Sequence, residues 1–322
     1  MARIGEKLDV RVEAISVEAE SIKSYDLRPV TVDELPPFQA GAHINVHLGN
    51  GLTRSYSLLN SQSERHRYVI GVNLDAKSRG GSSYMHASVG VGDVLEITPP
   101  RNNFPLIETA EHSVFIAGGI GVTPMLAMVQ RLHDLGRSWQ LIYCARSRRH
   151  AAFVDRLAEL GPEAQANILL HFDEDQNGRA LAMNNLIAGI GPGPQYYCCG
   201  PGSMLAAFKE ATTSQPPDHV HVEYFAGSEA PSSEGGFTVV LARSGDRVDV
   251  PPGSTIIEAL QAAGVVVPTV CLQGVCGTCE TAVLAGIPDH RDLILSKDER
   301  DSNKTMMICC SGSFSDELVL DL

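Results

Sequence analysis

Between residues 8 and 98 apolar and polar positions alternate in short runs (LDVRVEAISV, AHINVHL, TRSYSLLN, HRYVIGVNLD, DVLEITP) separated by Gly, Asn or Pro. A period of two interrupted by frequent turns predicts an antiparallel barrel or sandwich. From about Ser113 the rhythm changes: SVFIAGG, WQLIYCA, NILLHF, QYYCCG and HVHVEYF are compact apolar runs with helical stretches between them. Strands that alternate with helices predict a parallel sheet. Between Gly227 and Gly236 the apolar residues disappear, and SEAPSSEG reads as a linker. Beyond it FTVVLARSGDRVDV predicts a hairpin, STIIEALQAAG a short helix, and a cysteine-rich segment follows. The expected division is therefore 1–105, 106–227, a linker at 228–236, and 237–322.

Length and charge narrow the function classes. A chain of 322 residues has room for two or three domains. Its net charge of −13 argues against a basic face large enough to neutralise many phosphates, so nucleic acid is not an expected partner. No apolar run approaches a membrane span, and MARIGEKLDVRVEAIS has no apolar segment leading to small-residue cleavage chemistry. A cytoplasmic, non-membrane protein is expected, and a monomer. The segment 237–322 holds six Lys and Arg against twelve Asp and Glu. That acidity is either a solvated surface or a docking face for a partner with basic residues.

Three of the eight cysteines crowd into Cys271, Cys276 and Cys279, which suits metal binding in a reducing compartment better than disulfides. The spacing C-x4-C-x2-C, with a distal Cys, is that of plant-type [2Fe–2S] centres. Gly274 and Gly277 let the backbone wrap closely and aim amide N–H groups at anionic sulfurs. A structural zinc site, which more often uses two C-x2-C knuckles, and metal-free thiols are the alternatives. Cys309 and Cys310 lie in the strand-like MMICCSG, where successive residues face opposite ways, so one of the two is expected to face the cluster. Cys144, Cys198 and Cys199 end buried strands, where Cys commonly serves as a small hydrophobe.

A second site is suggested where HSVFIAGG turns through Gly118-Gly119-Ile120-Gly121 into a helix, with Thr123 expected as N-cap, Pro124 at the first helical position and Gly136 just beyond the end. Such a turn offers N–H groups and a positive dipole end to a pyrophosphate. It is not the Rossmann G-x-G-x-x-G. The run Tyr197-Cys198-Cys199-Gly200-Pro201 ends another strand expected in the same sheet, so both turns should line one crevice. Asp173, after a third strand, is placed to hold ribose hydroxyls and repel a 2′-phosphate, to cap the next element, or to face water. Hydride brings two electrons and a [2Fe–2S] centre accepts one, which calls for a flavin as converter. In the first domain Arg54-Ser55-Tyr56-Ser57 can meet a flavin's phosphate and ring, and Arg79-Gly80-Gly81-Ser82-Ser83 before the helical YMHAS makes a second anion-binding helix start.

In order along the chain, R-S-Y-S, RGGS, GGIGVTPM, CCGP, EYF and C-x4-C-x2-C…C resemble the phthalate dioxygenase reductase family, which includes the vanillate demethylase and carnitine monooxygenase reductases. The resemblance spans the whole chain. It implies an antiparallel Greek-key β-barrel that binds flavin, then an α/β parallel-sheet nucleotide-binding domain, then an α+β β-grasp plant-type ferredoxin domain. It also implies FMN, NADH and a separate Rieske-type oxygenase as cofactors and partner. Carried across, it assigns Arg54, Ser55, Tyr56 and Ser57 to FMN, Gly80, Gly81 and Ser82 to its phosphate, and Val72 and Asn73 to the vicinity of its ring. Gly119, Gly121, Thr123 and Pro124 fall at the nicotinamide and pyrophosphate, with Thr123 near both rings; Arg146 and Ser147 fall at the adenosine phosphate or ribose. Cys199, Gly200 and Pro201 form the strip over which nicotinamide slides, and Phe225 covers the flavin. Thr123, Cys199 and Phe225 thus become the catalytic candidates, as positioning groups and not as acids, bases or nucleophiles. Cys309 is implied as the fourth cluster ligand beside Cys271, Cys276 and Cys279, and Cys310 is a departure, since relatives commonly carry an apolar residue there. The alternatives are the same enzyme with a soluble acceptor, and a non-catalytic redox carrier or sensor.

Overall fold

The alternation read in the first hundred residues closes into a barrel. In the computed structural model, which describes residues 7–76, 78, 80–225 and 236–322, the first domain contains β1 (Leu8–Ala19), β2 (Ile22–Pro29), β3 (His43–His47), β4 (Thr53–Ser57), β5 (Tyr68–Asn73), helix α1 (Gly81–Ser88) and β6 (Val94–Ile97). The strands are antiparallel in the order β4-β3-β6-β1-β2-β5. A bridge between Leu58 and Ile70 ties the end of β4 to β5 and curls the sheet on itself. Val10, Val12, Leu27, Ile44, Val46, Ile70 and Ile97 fill the interior, while the intervening Arg11 and Glu13 face water. Arg79, and the expected linker as far as residue 235, lie outside the described residues.

The second rhythm gives β7 (His112–Gly118), α2 (Val122–Asp134), β8 (Ser138–Ala145), α3 (Val154–Ala158), α4 (Pro162–Gln165), β9 (Ile168–Phe172), α5 (Met183–Ile190), β10 (Gln195–Cys199), α6 (Gly202–Ala211) and β11 (Val220–Glu223). All pairs are parallel, in the order β11-β10-β7-β8-β9. The central strand β7 is inaccessible from Val114 to Ala117, as a strand covered on both faces must be. One apolar cluster joins Ile22, Leu59, Val69 and Phe104 of the first domain to Phe115, Met125, Val129 and Tyr197 of the second. The Phe104 ring meets Tyr197 edge-on at 5.6 Å, and the Tyr197 hydroxyl accepts the Ile107 N–H at 2.9 Å. Residues 1–225 accordingly form one unit and 226–322 another. Among the described residues no helix is long and apolar enough to cross a membrane.

The beginning of α2 differs from expectation. Gly119–Gly121 form a 3-10 turn that extends the helix backwards, so Gly121 is the N-cap and Thr123 is the second helical residue. The Thr123 hydroxyl, instead of capping, donates to the Ile120 carbonyl at 2.9 Å. Pro124 still lies in the first turn, where a missing N–H costs nothing. Gly136 sits at φ 62 just beyond the helix, as the sequence predicts.

The second unit contains β12 (Phe237–Leu241), β13 (Arg247–Val250), α7 (Ile256–Ala262), β14 (Glu280–Ala285), β15 (Pro288–Asp289), α8 (Lys297–Ser302), β16 (Thr305–Met307), β17 (Gly312–Ser313) and β18 (Glu317–Leu320). Its main sheet has the order β13-β12-β18-β14-β16, with β12 and β18 parallel and the other pairs antiparallel. Thr255 and Glu258 form a reciprocal capping box that starts α7, whose Ile256, Ile257 and Leu260 share a core with Val239, Leu318 and Leu320. This is the β-grasp arrangement. The run MMICCSG is a strand only as far as Met307; residues 308–310 form a turn, with Cys310 and Ser311 N–H groups both donating to the Met307 carbonyl at 3.3 and 3.1 Å. The strand rule that would point Cys309 and Cys310 to opposite faces therefore does not apply.

Candidate functional site

In the barrel, β4 carries Arg54 beside the start of α1. Gly80 is the N-cap in the left-handed region at φ 92, and a Cβ at Gly81 would lie 2.5 Å from Arg54 Nε. The absent side chain leaves room for the guanidinium to lie over the helix start, where Ser78 Oγ accepts the Gly80 and Ser83 N–H groups at 3.2 and 3.3 Å and the cation beside the positive helix end suits an anion. Arg54 Nη1 also donates to the Thr53 carbonyl. Ser82 is engaged within the loop, its hydroxyl 3.0 Å from that of Ser78. Ser55 donates to Asn45 Oδ1 at 2.8 Å, Ser57 is buried opposite His43, and Tyr56 is partly covered between them, with burial raising its phenol pKa. Val72 is buried, its carbonyl 2.9 Å from His86 Nε2, and Asn73 Oδ1 accepts from Ser21. Successive residues of β4 face opposite sides of the sheet, so Arg54 and Tyr56 share one side and Ser55 and Ser57 the other; the chemistry of Arg54 beside the start of α1 suits a flavin phosphate and that of Tyr56 a flavin ring.

The two glycine turns of the parallel sheet press against each other. A Cβ on Gly121 would overlap the Cys199 carbonyl and come within 2.9 Å of Gly200 N; one on Gly118 would lie 2.7 Å from Pro201; one on Gly200 would lie 3.2 Å from Gly118. Gly119 takes φ 53 with open space around it. The turns at the carboxyl ends of β7 and β10 are thus packed backbone against backbone, a closeness that only glycine at 118, 121 and 200 allows. Thr123 is buried beside them, and a Cβ on Gly71 of β5 would lie 2.8 Å from Thr123 Cγ2 and 3.1 Å from the Phe153 ring. The barrel strand therefore touches the nucleotide turn. Phe153, at φ 63, holds a conformation that costs a non-glycine residue on the order of 1 kcal/mol.

Other candidates lie farther out along the sheet edge. Arg146 is exposed, Ser147 is buried with its hydroxyl 2.7 Å from His150 Nδ1, and Asp173 is half-exposed with Oδ1 3.5 Å from His171 Nε2. The Asp173 side chain makes no cap hydrogen bond to the turn it precedes. Phe225, two residues beyond β11, is 43% exposed, which for an aromatic ring at a strand end is an open apolar face.

Sequence reasoning passed over Glu223. It pairs with Cys199 across β10 and β11, its Oε2 is buried without a hydrogen-bond partner among the described residues, and burial pushes its carboxyl pKa up to about 8. The Cys199 thiol is itself pushed well up, first by burial and then by Glu223, so it is no nucleophile. An acid at the carboxyl end of a parallel strand was the available signal, hidden in the alternation of HVHVEYF. Gly71 and Phe153 carried no local signal.

In the second unit the cysteine loop brings the expected thiols together in two touching pairs, Cys271 with Cys276 and Cys279 with Cys309. Cys310 touches Cys309 as well. Gly274 and Gly277 take φ 68 and 73, and the Gln273 N–H lies 3.3 Å from Cys271 Sγ, an amide aimed at sulfur as the glycines predict. Among the described residues no three His, Cys, Asp or Glu side chains are disposed around a single ion; the arrangement is one of pairs. Two pairs of thiolates close the shells of two irons bridged by sulfide, so the residues fit a [2Fe–2S] centre.

Known proteins agree with this layout. The family described as "2Fe-2S iron-sulfur cluster binding domain" matches residues 239–312, and "Oxidoreductase NAD-binding domain" matches 115–210. The chain is 53% identical to phenoxybenzoate dioxygenase subunit beta of Ectopseudomonas oleovorans over 315 residues, covering 98% of this chain and 97% of that protein. It is 50% identical to tetrachlorobenzoquinone reductase of Sphingobium chlorophenolicum, covering 98% of each. Among solved structures, phthalate dioxygenase reductase, described as a modular structure for electron transfer from pyridine nucleotides to [2Fe–2S], superimposes with TM-score 0.73 at 37% identity over 98% of each chain. With a barrel, a parallel-sheet nucleotide domain and a β-grasp cysteine domain in the same order and at these identities, the chain belongs to the phthalate dioxygenase reductase family.

Proposed function

We propose that this chain is an NADH-dependent reductase component that passes electrons from NADH through FMN to a [2Fe–2S] centre and on to a separate Rieske-type oxygenase of an aromatic or related small-molecule catabolic pathway. The observation that carries the reading is the contact of Gly71 with Thr123, which sets the flavin-facing strand against the nucleotide turn in a chain that also holds two thiol pairs. When bound, FMN accepts an electron pair as hydride and releases it singly, and the cluster carries single electrons. The protein's part is alignment. Arg54, Gly80, Gly81 and Ser82 hold the flavin phosphate; Ser55, Tyr56, Ser57, Val72 and Asn73 border the ring. Gly119, Gly121, Thr123, Pro124, Cys199, Gly200 and Pro201 form the floor on which nicotinamide lies. Phe225 shields the flavin until nicotinamide displaces it. Arg146, Ser147 and Asp173 receive the adenosine end, and the carboxylate of Asp173 favours NADH over a 2′-phosphorylated nucleotide. Cys271, Cys276, Cys279 and Cys309 hold the cluster.

The domain limits 1–105, 106–227 and 237–322 are supported by the three larger sheets and by the separation of the chain into units at Phe225. The oxygenase partner is supported by the relatives' names, phenoxybenzoate dioxygenase subunit beta and phthalate dioxygenase reductase. A cytoplasmic monomer that docks transiently fits a net charge of −13 and the acidity of its last domain. A second reading is favoured by the relative named tetrachlorobenzoquinone reductase: a small quinone as the electron acceptor. Cys276→Ser separates them from the start. On the leading reading NADH still bleaches the flavin while reduction of cytochrome c and of the oxygenase is lost; quinone reduction that persists unchanged in this variant, with no turnover of any oxygenase by the wild type, establishes the second. Mass measurement of the extracted flavin tests FMN directly.

A further inference from the structure

One short segment ties together the two stretches that carry the expected cluster cysteines. The Leu293 N–H donates to the Gly274 carbonyl at 3.0 Å, in the loop between Cys271 and Cys276. The Arg291 N–H donates to Ser311 Oγ at 3.2 Å, just beyond the turn that bears Cys309. Between these two bonds lies Asp292, 1% exposed. A Cβ at Gly274 would come within 2.8 Å of Asp292 Cα and 3.1 Å of its Cβ, so the segment packs directly on the cysteine loop. The Asp292 carboxylate is held by the residues that follow it. Oδ2 accepts the Leu295 and Ile294 N–H groups at 2.8 and 3.2 Å, and Arg300 of α8 donates through Nη2 to the Asp292 carbonyl and lies 3.6 Å from Oδ2. Oδ1 has no hydrogen-bond partner among the described residues; His290 Nδ1, at 3.8 Å, is beyond bonding distance.

We propose that Asp292, braced by Arg300, is a positioning residue for the iron–sulfur centre: it fixes segment 291–293, which in turn holds the Cys271–Cys276 loop and the Cys309 turn in their mutual position. The inference rests on the reading of Cys271, Cys276, Cys279 and Cys309 as cluster ligands, and it gives Asp292 no bond to iron. Taking a carboxylate out of water is costly even when it is paired, and an apolar residue of similar size would fill the space at lower cost. What the acid supplies is direction. Its bonds to Ile294, Leu295 and Arg300 fix the peptide on which the N–H groups of Arg291 and Leu293 point to the two ligand stretches. Gly274 completes the fit from the other side, since at φ 68 and without a side chain it admits the Asp292 backbone. Groups that orient metal ligands from behind are worth about ten- to a hundredfold in metal affinity.

The test compares the full-length holoprotein with its Asp292→Ala, Asp292→Asn and Arg300→Gln variants. It reads the rate of iron loss to a chelator and the electron paramagnetic resonance of the reduced centre, with bleaching of the flavin by NADH as the control on the first unit. Asp292→Ala should lose iron about ten- to a hundredfold faster than the wild type, with shifted g values in the centres that remain. Asp292→Asn keeps an acceptor for the Ile294 and Leu295 N–H groups and should restore most of the iron retention and the wild-type spectrum. Arg300→Gln should move both readouts in the direction of Asp292→Ala. Thr255→Ala, which weakens the same unit through the cap of α7, should lower the melting temperature and leave the g values unchanged. If Asp292→Ala does not fold, Arg300→Gln carries the comparison. Wild-type g values and iron-loss rates in the folded variants overturn the proposal. So does a Thr255→Ala spectrum with the same shift as that of Asp292→Ala, which would make the effect one of stability alone. Wild-type protein that contains zinc or no metal instead defeats the iron–sulfur reading itself, and is told apart by metal analysis before any variant is made.

Discussion

Gly71 lies directly against Thr123, the first in a strand of the barrel and the second in the opening turn of α2. Any side chain at residue 71 must push this turn away or displace the Phe153 ring. Gly71→Ala should destabilise the first unit by about 1–3 kcal/mol, the usual cost of overpacking. It should also slow bleaching of the flavin by NADH more than it weakens flavin binding, because alignment and not affinity is disturbed. Thermal unfolding and stopped-flow absorbance would read the two effects separately.

Glu223 leads to a pH prediction. Its carboxyl pKa, raised by burial to about 8, keeps the group neutral at pH 7 beside Cys199. Because the folded value lies above the ordinary 4.5, the stability this group contributes is present at low pH and is lost as pH rises through 8. Ionisation would also put an anion beside Cys199, in the proposed nicotinamide floor. The rate of NADH oxidation should therefore break near pH 8 in the wild type, and Glu223→Gln, which mimics the neutral acid, should keep its rate at pH 7 and flatten the profile.

Arg54 and Gly81 act as one device. Charge-assisted bonds of arginine to phosphate contribute about 1.5–3 kcal/mol. Arg54→Ala should weaken FMN binding roughly ten- to a hundredfold. Gly81→Ala, by forcing Arg54 aside, should weaken it in the same direction with the arginine still present. Fluorescence titration of the apoprotein with FMN checks both, and NADH affinity should be little changed.

His43 sets the acid limit of the barrel. It is buried opposite Ser57, Nε2 has no hydrogen-bond partner among the described residues, and burial, aided by Arg101, lowers its pKa to about 4. Between pH 6.5 and 4 the unfolded chain takes up a proton that the folded barrel refuses, so stability falls as pH falls, by up to about 3 kcal/mol. Urea unfolding at pH 7 and pH 4.5 should show this loss, and His43→Asn should reduce it.

Much of this was legible along the chain because the signals are local. Alternation of period two, compact strands between helices, the C-x4-C-x2-C spacing and the turns at Gly80, Gly119 and Gly136 depend on neighbours a few residues apart. Each of those segments folds as its pattern predicts. Readings that extended a local rule past its boundary failed: Thr123 does not cap, since the turn before it adds residues to the helix, and Cys309 and Cys310 do not alternate, since their strand ends at Met307.

The sequence by itself determined the order of three domains, the cysteine spacing and the two glycine turns, because backbone conformation and side-chain periodicity are written in adjacent residues. Only the tertiary structure decided that Gly71 meets Thr123, that the Glu223 Oε2 is buried on the strand paired with Cys199, and that Cys310 lies against Gly274 of the cysteine loop. Those relations join residues from tens of positions apart, and their energies come from excluded water and close packing, which no short stretch of sequence contains.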